Sequence, residues 1–172
     1  MWNMNLKECG AMMKTKQEQL EFLLPYFIES IRNVFETMVF MPVTAGERTP
    51  KSQGLPRGYV SGTISLAGEE INGNLSIIFS LPSATAIFRA MMGLGNDADV
   101  NQNEVNDVVG EIANMVAGSA KAKLQEKNVH FKIGLPTVVV GEGHYIEPPR
   151  NVETVVLPIK GSAGEFFMEI SC

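Results

Sequence analysis

The 172-residue chain is poor in the side chains that most often crosslink a protein or do its chemistry: it has two cysteines and two histidines. Cys9 and Cys172 stand near opposite ends. Two such residues make no disulfide framework, and without a CxxC no cysteine pair is spaced for a metal. The expectation is two free thiols in a reducing cytosol. Basic residues are scarce and scattered, with 14 Lys and Arg against 19 Asp and Glu and a formal net charge of −5. That balance argues against non-specific binding to nucleic acid or to an anionic membrane surface, since both reward basic patches. No run approaches the roughly 18 apolar residues of a membrane span. The N-terminal "MWNMNLKECGAMMKTKQEQ" lacks a continuous apolar segment followed by a small-residue cleavage site, so it does not read as a secretory signal. A cytoplasmic protein is expected.

What the chain does have is material for a core. Hydrophobic residues make up 45% of it, which excludes disorder, and its length suits one domain or a compact pair of pseudo-repeats. Residues 1–15 show no clear period and are expected to be a flexible N-terminus, leaving 16–172 as a single domain. Lys16 to Leu24 reads as a short helical lead-in. Pro25 suits the first turn of the helix that follows, where its missing N–H costs nothing. Ile28, Ile31, Phe35 and Met38 then recur at helical spacing to about Phe40. Residues 41–57 hold three prolines and two glycines and read as loop. "YVSGTISLAG" alternates, with Val60, Gly62, Ile64 and Leu66 on one face and Ser61, Thr63 and Ser65 on the other, so it is a half-buried strand. "EEINGN" turns it back into "LSIIFS". Pro82 opens a short helix that Gly93 stops. A long helix follows over 103–124, then a buried strand "PTVVVG", a loop "GEGHYIEPPRN", and a last hairpin from "VETVVLPIKG" and "GEFFMEIS". Phe166, Met168 and Ile170 face inward on that hairpin. The order predicts an α+β fold of two pseudo-repeated halves, each a long helix plus antiparallel strands, forming one sheet with helices packed on it.

The helix "NEVNDVVGEIANMVAGSAKAKL" carries an unusual line of residues. With about 100° per residue, Glu111, Asn114 and Gly118 all lie within roughly 40° of Asp107. Val105, Val108, Ile112, Met115, Val116 and Ser119 gather on the opposite, core side. Gly110, Ala113, Ala117 and Ala120 form a flank small enough for close packing. Every amphipathic helix has an exposed ridge, but an ordinary one is built of long, helix-favouring residues. Asp and Asn are poor helix formers in a helix interior, and glycine there costs about 1 kcal/mol against alanine. A ridge of Asp107, Glu111, Asn114 and Gly118 therefore reads as functional. Asn114 both donates and accepts, so it can hold a water in a fixed direction. Glu111 can take a lysine from a partner. Nothing beside them can act as a nucleophile. His130 and His144 stand in separate segments and read as surface. Asp107 and Glu111 supply too few ligands for a protein-held cation, so no metal is expected here. What remains is a helix that inserts polar groups into another protein's active site.

"DVVGEIANMVAGSAKAKL" followed by "LPTVVVG" resembles the CheC/CheX/FliY phosphatases of bacterial chemotaxis. Their motif is an Asp or Ser, three residues, Glu, two residues, Asn, and a later proline. Here these are Asp107, Glu111, Asn114 and Pro136, with 21 residues between the last two, one fewer than the family's usual spacing. "PYFIESIRNVFETM", "GTISLAGEEINGNLSIIFS" and "GLGND" are similar to the first helix, first hairpin and connecting turn of CheX-type members. Two-site relatives carry the motif on both long helices; here Glu29 is followed by Arg32 where an Asn is needed, so the chain resembles the single-site CheX branch. The resemblance implies a hydrolase that removes the phosphoryl group from the phosphoaspartate of a CheY-like response-regulator receiver domain. Asn114 would orient the attacking water and Glu111 would engage the receiver's lysine. Gly118 and Ser119 would lie where the receiver surface approaches, and Asp107 would support Glu111 or the helix start. Pro136 would be structural, at the head of a strand. No cofactor of its own is implied; the Mg²⁺ would sit on the receiver. CheX-type relatives are dimers, and "PTVVV" or "VETVVLPI" could supply a sheet edge for a homodimer. The rival reading is a non-catalytic module of the same fold that docks a receiver or serves in a flagellar switch.

Overall fold

Thr15 opens the first long helix. Its hydroxyl accepts from the Glu18 N–H while the Glu18 carboxylate accepts from the Thr15 N–H, a capping box that satisfies two otherwise orphaned donors. The computed structural model describes residues 15–69, 71–147 and 151–172, and at Ser52 the backbone alone. Apart from Thr15, the expectation for 1–15 thus lies outside the described residues, as does Cys9.

Helix α1 runs Lys16–Val34 without a break and continues as a π-helical turn over Phe35–Val39. Pro25 therefore sits inside the helix, not in its first turn as the sequence predicts. The missing bond leaves the Glu21 carbonyl without its i+4 donor, and both residues are exposed, so water can serve it. Phe40 ends the helix in the left-handed region at φ 58°. Helix α2, Leu81–Met91, is capped by Ser80, whose hydroxyl accepts from the Ser83 N–H, and Gly93 (φ +64°) stops it as expected. Helix α3, Gln102–Gln125, starts at Asn101, whose Oδ1 accepts from the Asn103 N–H at 2.9 Å. Among the described residues no helix is long and apolar enough to cross a membrane.

The strands are β1 (Val43–Ala45), β2 (Thr49–Pro50), β3 (Gly58–Gly68), β4 (Asn72–Phe79), β5 (Phe131–Ile133), β6 (Thr137–His144), β7 (Thr154–Gly161) and β8 (Gly164–Ser171). Both predicted hairpins are present, as β3–β4 and β7–β8. Three short strands go beyond the sequence reading: β1 and β2 lie in the segment read as loop, and β5 precedes the expected "PTVVVG" strand. That strand also runs on to His144, through residues read as loop. All pairings are antiparallel in one sheet ordered β1-β7-β8-β4-β3-β5, with β2 also on β7 and β6 also on β3. The order is palindromic. The hairpins meet at β4–β8 in the centre, and the leading strands of each half pair with the other half's hairpin. The two halves are thereby interlocked, and neither has a complete sheet alone.

One face of this sheet makes the core with the helices. Val60, Ile64 and Leu66 of β3 and Phe166, Met168 and Ile170 of β8 are buried there, as their alternation predicts. Phe166 packs between the rings of Phe35 and Phe79, with centroids 4.9 and 4.7 Å away. The opposite face is polar but not simply wet. Ser61, Ser76, Glu169 and Ser171 are buried on it, and so is Lys51, in a 3₁₀ turn over Lys51–Gln53 that closes over the sheet. The Lys51 ammonium donates to the Glu169 carboxylate at 2.5 Å and to the Ile146 carbonyl, with both side chains only 4% exposed. One buried ion pair thus ties two surface segments to the central strands.

Burial raises the Glu169 pKa above the usual carboxylate range, and the Lys51 hydrogen bond and charge oppose that rise. Where the folded pKa exceeds the unfolded one, the folded state binds the proton more tightly, so stability falls as pH rises through that window. Lys51→Ala strands the buried carboxylate and is expected to lower stability by about 3–5 kcal/mol at neutral pH. The deficit should shrink as the pH falls and Glu169 takes up a proton. Urea unfolding of both proteins across the acid range measures this; a deficit that stayed constant with pH would mean that Glu169 is not the group left uncompensated.

Candidate functional site

The position of α3 is set by glycine. A Cβ on Gly62 of β3 would lie 2.6 Å from the Val109 carbonyl oxygen and 3.1 Å from the Ala113 Cβ. A Cβ on Gly110 would lie 2.9 Å from Val138 Cγ2 and 3.7 Å from Pro136 Cβ. The helix backbone therefore lies directly against the sheet, with Val105, Val109, Ile112, Ala113, Val116, Ala117, Ala120 and Leu124 buried. This corrects the predicted core face. The small-residue flank is the middle of the buried face, because Gly62 admits it there. Met115 and Ser119, assigned to the core from the sequence, are only half-buried.

With that face down, the predicted line faces out. Asp107 and Glu111 are exposed, and Asn114 and Gly118 are half-buried. Among the described residues no hydrogen bond or ion pair engages the side chain of Asp107, Glu111 or Asn114. Open space surrounds Gly118, where an added Cβ would meet nothing within 4 Å. These residues share one rigid helix, three turns of which carry them. Pro136 immediately precedes β6 and packs beside Gly110, as a strand-heading proline should. The site is thus a set of unpartnered polar groups on a convex ridge, not a cleft. Such a ridge can complete a site elsewhere but cannot enclose a substrate itself. Among the described residues no three His, Cys, Asp or Glu side chains group in a way that could hold a metal.

The corresponding position on α1 is occupied differently. Glu29 accepts from the protein's own Lys123, on the last turn of α3, at 2.6 Å, and Arg32 is exposed. One histidine also differs from expectation. His130 is exposed, but His144 ends β6 and reaches back to β3. Its Nδ1 lies 2.7 Å from the Gly141 carbonyl, which can only accept, so in the neutral ring Nε2, 2.6 Å from Ser61 Oγ, accepts a hydrogen bond from the serine hydroxyl. Ser61 is fully buried, and among the described residues the ring is backed by the Gly141 carbonyl and not by a carboxylate, so the pair secures a strand and presents no nucleophile.

Sequence reasoning passed over one feature beside the ridge. Phe88, Met92 and Leu94 meet Glu104, Asp107 and Val108 around an open hollow between the end of α2 and the start of α3. The available signal was two large apolar residues, Met92 and Leu94, flanking a helix-stop glycine, where a plain turn would be polar.

Residues 60–160, from β3 through α3 to β7, match the family described as "Chemotaxis phosphatase CheX". The CheY-P phosphatase CheX of Thermotoga maritima is 33% identical over 113 residues, which are 66% of this chain and 69% of that protein. The crystal structure of a chemotaxis protein CheX from Desulfovibrio desulfuricans superposes with a TM-score of 0.78 at 31% identity, over 87% of this chain and 97% of that one. The chemotaxis protein CheX of Vibrio vulnificus does so with a TM-score of 0.78 at 34% identity, again over 87% and 97%. The matched segment contains the whole ridge and the strand that seats it, and the likeness in fold extends well beyond that segment: the chain belongs to the CheX family of chemotaxis phosphatases.

Proposed function

We propose that this protein hydrolyses the phosphoaspartate of a CheY-like receiver domain and so ends the signal that the receiver carries. One observation bears most of the weight: in a chain of this family, Glu111 and Asn114 stand a turn apart on a rigid helix with no partner within the described residues. Phosphoryl transfer needs little covalent chemistry from its catalyst and depends on positioning and electrostatics. The Asn114 carboxamide oxygen accepts a hydrogen bond from the attacking water and so turns a lone pair of that water toward phosphorus. As the new P–O bond forms, the bond to the aspartate oxygen breaks. The carboxylate departs with the bonding electrons, and the water's proton goes to phosphate or solvent. Glu111 pairs with the receiver's lysine and holds the two active-site halves in register. Asp107 supports that pairing from one turn away, and Gly118 and Ser119 meet the receiver surface. The Mg²⁺ of the reaction is the receiver's, since Asp107 and Glu111 together fall short of a divalent cation's ligand count. The setting is the cytoplasm, which suits a free, buried Cys172 whose thiol is pushed up to about 11.

Asn114→Ala is expected to lower the accelerated decay of a labelled phospho-receiver by about 10²-fold or more, with binding to a receiver in its phosphoryl-mimic state retained. If wild type accelerated the decay of no receiver in the host yet bound one, the rival docking-module reading would stand in its place.

Gly118→Ala separates stability from function. Its Cβ enters open space, so the helix gains about 1 kcal/mol and the melting temperature rises by about 2–4 °C. The new methyl group stands between the ridge and the receiver and should raise KM. An unchanged KM would remove Gly118 from the docking surface.

The same reading includes a homodimer through β6. Of the two segments the sequence offers as an edge, "VETVVLPI" lies in β7, enclosed by β8 on one side and β1 and β2 on the other. β6 pairs with β3 and, among the described residues, with no other strand, and Val139 and Val140 on it are exposed. Light scattering should give twice the 18.8 kDa chain mass for wild type and one chain mass for Val140→Lys. A wild type of one chain mass would rule the dimer out.

A further inference from the structure

The hollow beside the ridge has a volume of about 420 Å³. Its floor is Phe88 and Val108, which are 5% and 8% exposed, and its apolar walls are Met92 and Leu94, which are 52% and 42% exposed. Gly93 (φ +64°) makes the turn that lifts those two walls off the end of α2. Leu94 is fixed there by its N–H donating to the Arg89 carbonyl at 2.8 Å. Glu104 and Asp107 give one rim two carboxylates. Among the described residues neither carboxylate has an ion-pair or hydrogen-bond partner, and the Arg89 guanidinium, which keeps its charge, donates to the Ala98 carbonyl at 2.7 and 3.0 Å and not to either acid.

We infer that this hollow is a second contact for the receiver, one that selects which receiver is dephosphorylated by taking an apolar side chain flanked by a lysine or arginine. The inference rests on the phosphatase reading above and extends it to the choice of substrate. Two observations fix the occupant. The first is continuity: Asp107 belongs both to the hollow's rim and to the ridge, one turn before Glu111. Seven residues of helix separate it from Asn114, a rise of roughly 10 Å. A receiver of about 100 residues has a radius of gyration near 13 Å. A body of that size with its phosphoaspartate at Asn114 covers the hollow as well. The second is charge: an apolar floor with a rim of two unpaired carboxylates favours an apolar anchor next to a cation and disfavours one next to an acid. Met92 lets the wall adapt to the anchor's shape. Residues on the ridge recognise features that every receiver needs for its chemistry. The hollow contacts surface that receivers are free to vary, so it is where discrimination can reside.

The test is steady-state hydrolysis of the phospho-receiver by the full chain. Met92→Ser/Leu94→Ser should raise KM at least tenfold and change kcat by less than twofold, whereas Asn114→Ala acts on kcat. Glu104→Gln should flatten the fall of kcat/KM with added salt. Both changes are at exposed positions, and circular dichroism and melting temperature confirm folding; should the double variant unfold, Glu104→Gln carries the test alone. Binding is measured separately with receiver loaded with beryllium fluoride, in an Asn114→Ala background, where the double serine variant should weaken Kd at least tenfold. If KM, Kd and salt dependence are all unmoved while Asn114→Ala still abolishes turnover, the hollow is not a contact and the phosphatase reading survives. If wild type neither binds nor dephosphorylates any receiver, both fall together.

Discussion

The close seating of α3 on Gly62 of β3 is the constraint from which the ridge follows. A helix that met the sheet through leucines would stand further away and could settle at several rotations. Here Val109 and Ala113 lie against a residue with no side chain. Each residue of rotation turns the helix by about 100°, so a small change of seat would bury Glu111 or expose Ile112. Gly110 against Val138 and Pro136 fixes the second side of the same seat. The exposed line is thus defined by what lies opposite it. Its own residues, which lack partners within the described residues, contribute nothing to holding it in place.

The sheet supports this by being difficult to deform. The interlocked strand order means that β3, the seat of α3, is held by β4 on one side and by β5 and β6 on the other. Behind it the Lys51–Glu169 pair ties the covering segments to β8. A buried ion pair is rarely a large net gain over apolar packing, but it tolerates little misplacement. The two long helices, equivalent in the palindrome, have diverged in how their acids are used. Glu29 is engaged by Lys123, while Glu111 is open. Among the described residues, the acid on α3 is thus left available and its counterpart on α1 is not.

The hairpins, the α+β class and the ridge were all legible in the sequence, because each is written in local periodicity: alternation in β3 and β8, and an i, i+4, i+7 line on α3. What escaped was non-local. β1, β2 and β5 are two or three residues long and exist because partners more than 60 residues away complete them. Pro25 reads locally as a helix start, yet tertiary packing of Leu20, Leu23, Leu24 and Phe27 carries the helix through it. Ser61 reads as solvent-facing, and only the fold shows His144 arriving over it. The core face of α3 was displaced from its true centre because glycine and alanine carry little hydrophobic signal, although they are where backbones meet.

This division bears on how such a surface can change. Asp107, Asn114 and Gly118 weaken α3 locally, and the burial of its other face offsets that loss. The burden of stability lies on residues that no partner touches, and the ridge is free of it. Side chains at the ridge and at the neighbouring hollow can therefore be exchanged without unseating the helix, whereas the Gly62 and Gly110 contacts cannot accept even one methyl group without moving backbone or branched side chains. On the proposed reading, a fold arranged in this way can keep one chemistry while its choice of partner drifts, since what holds the ridge in place and what would meet the receiver are on opposite sides of the same helix.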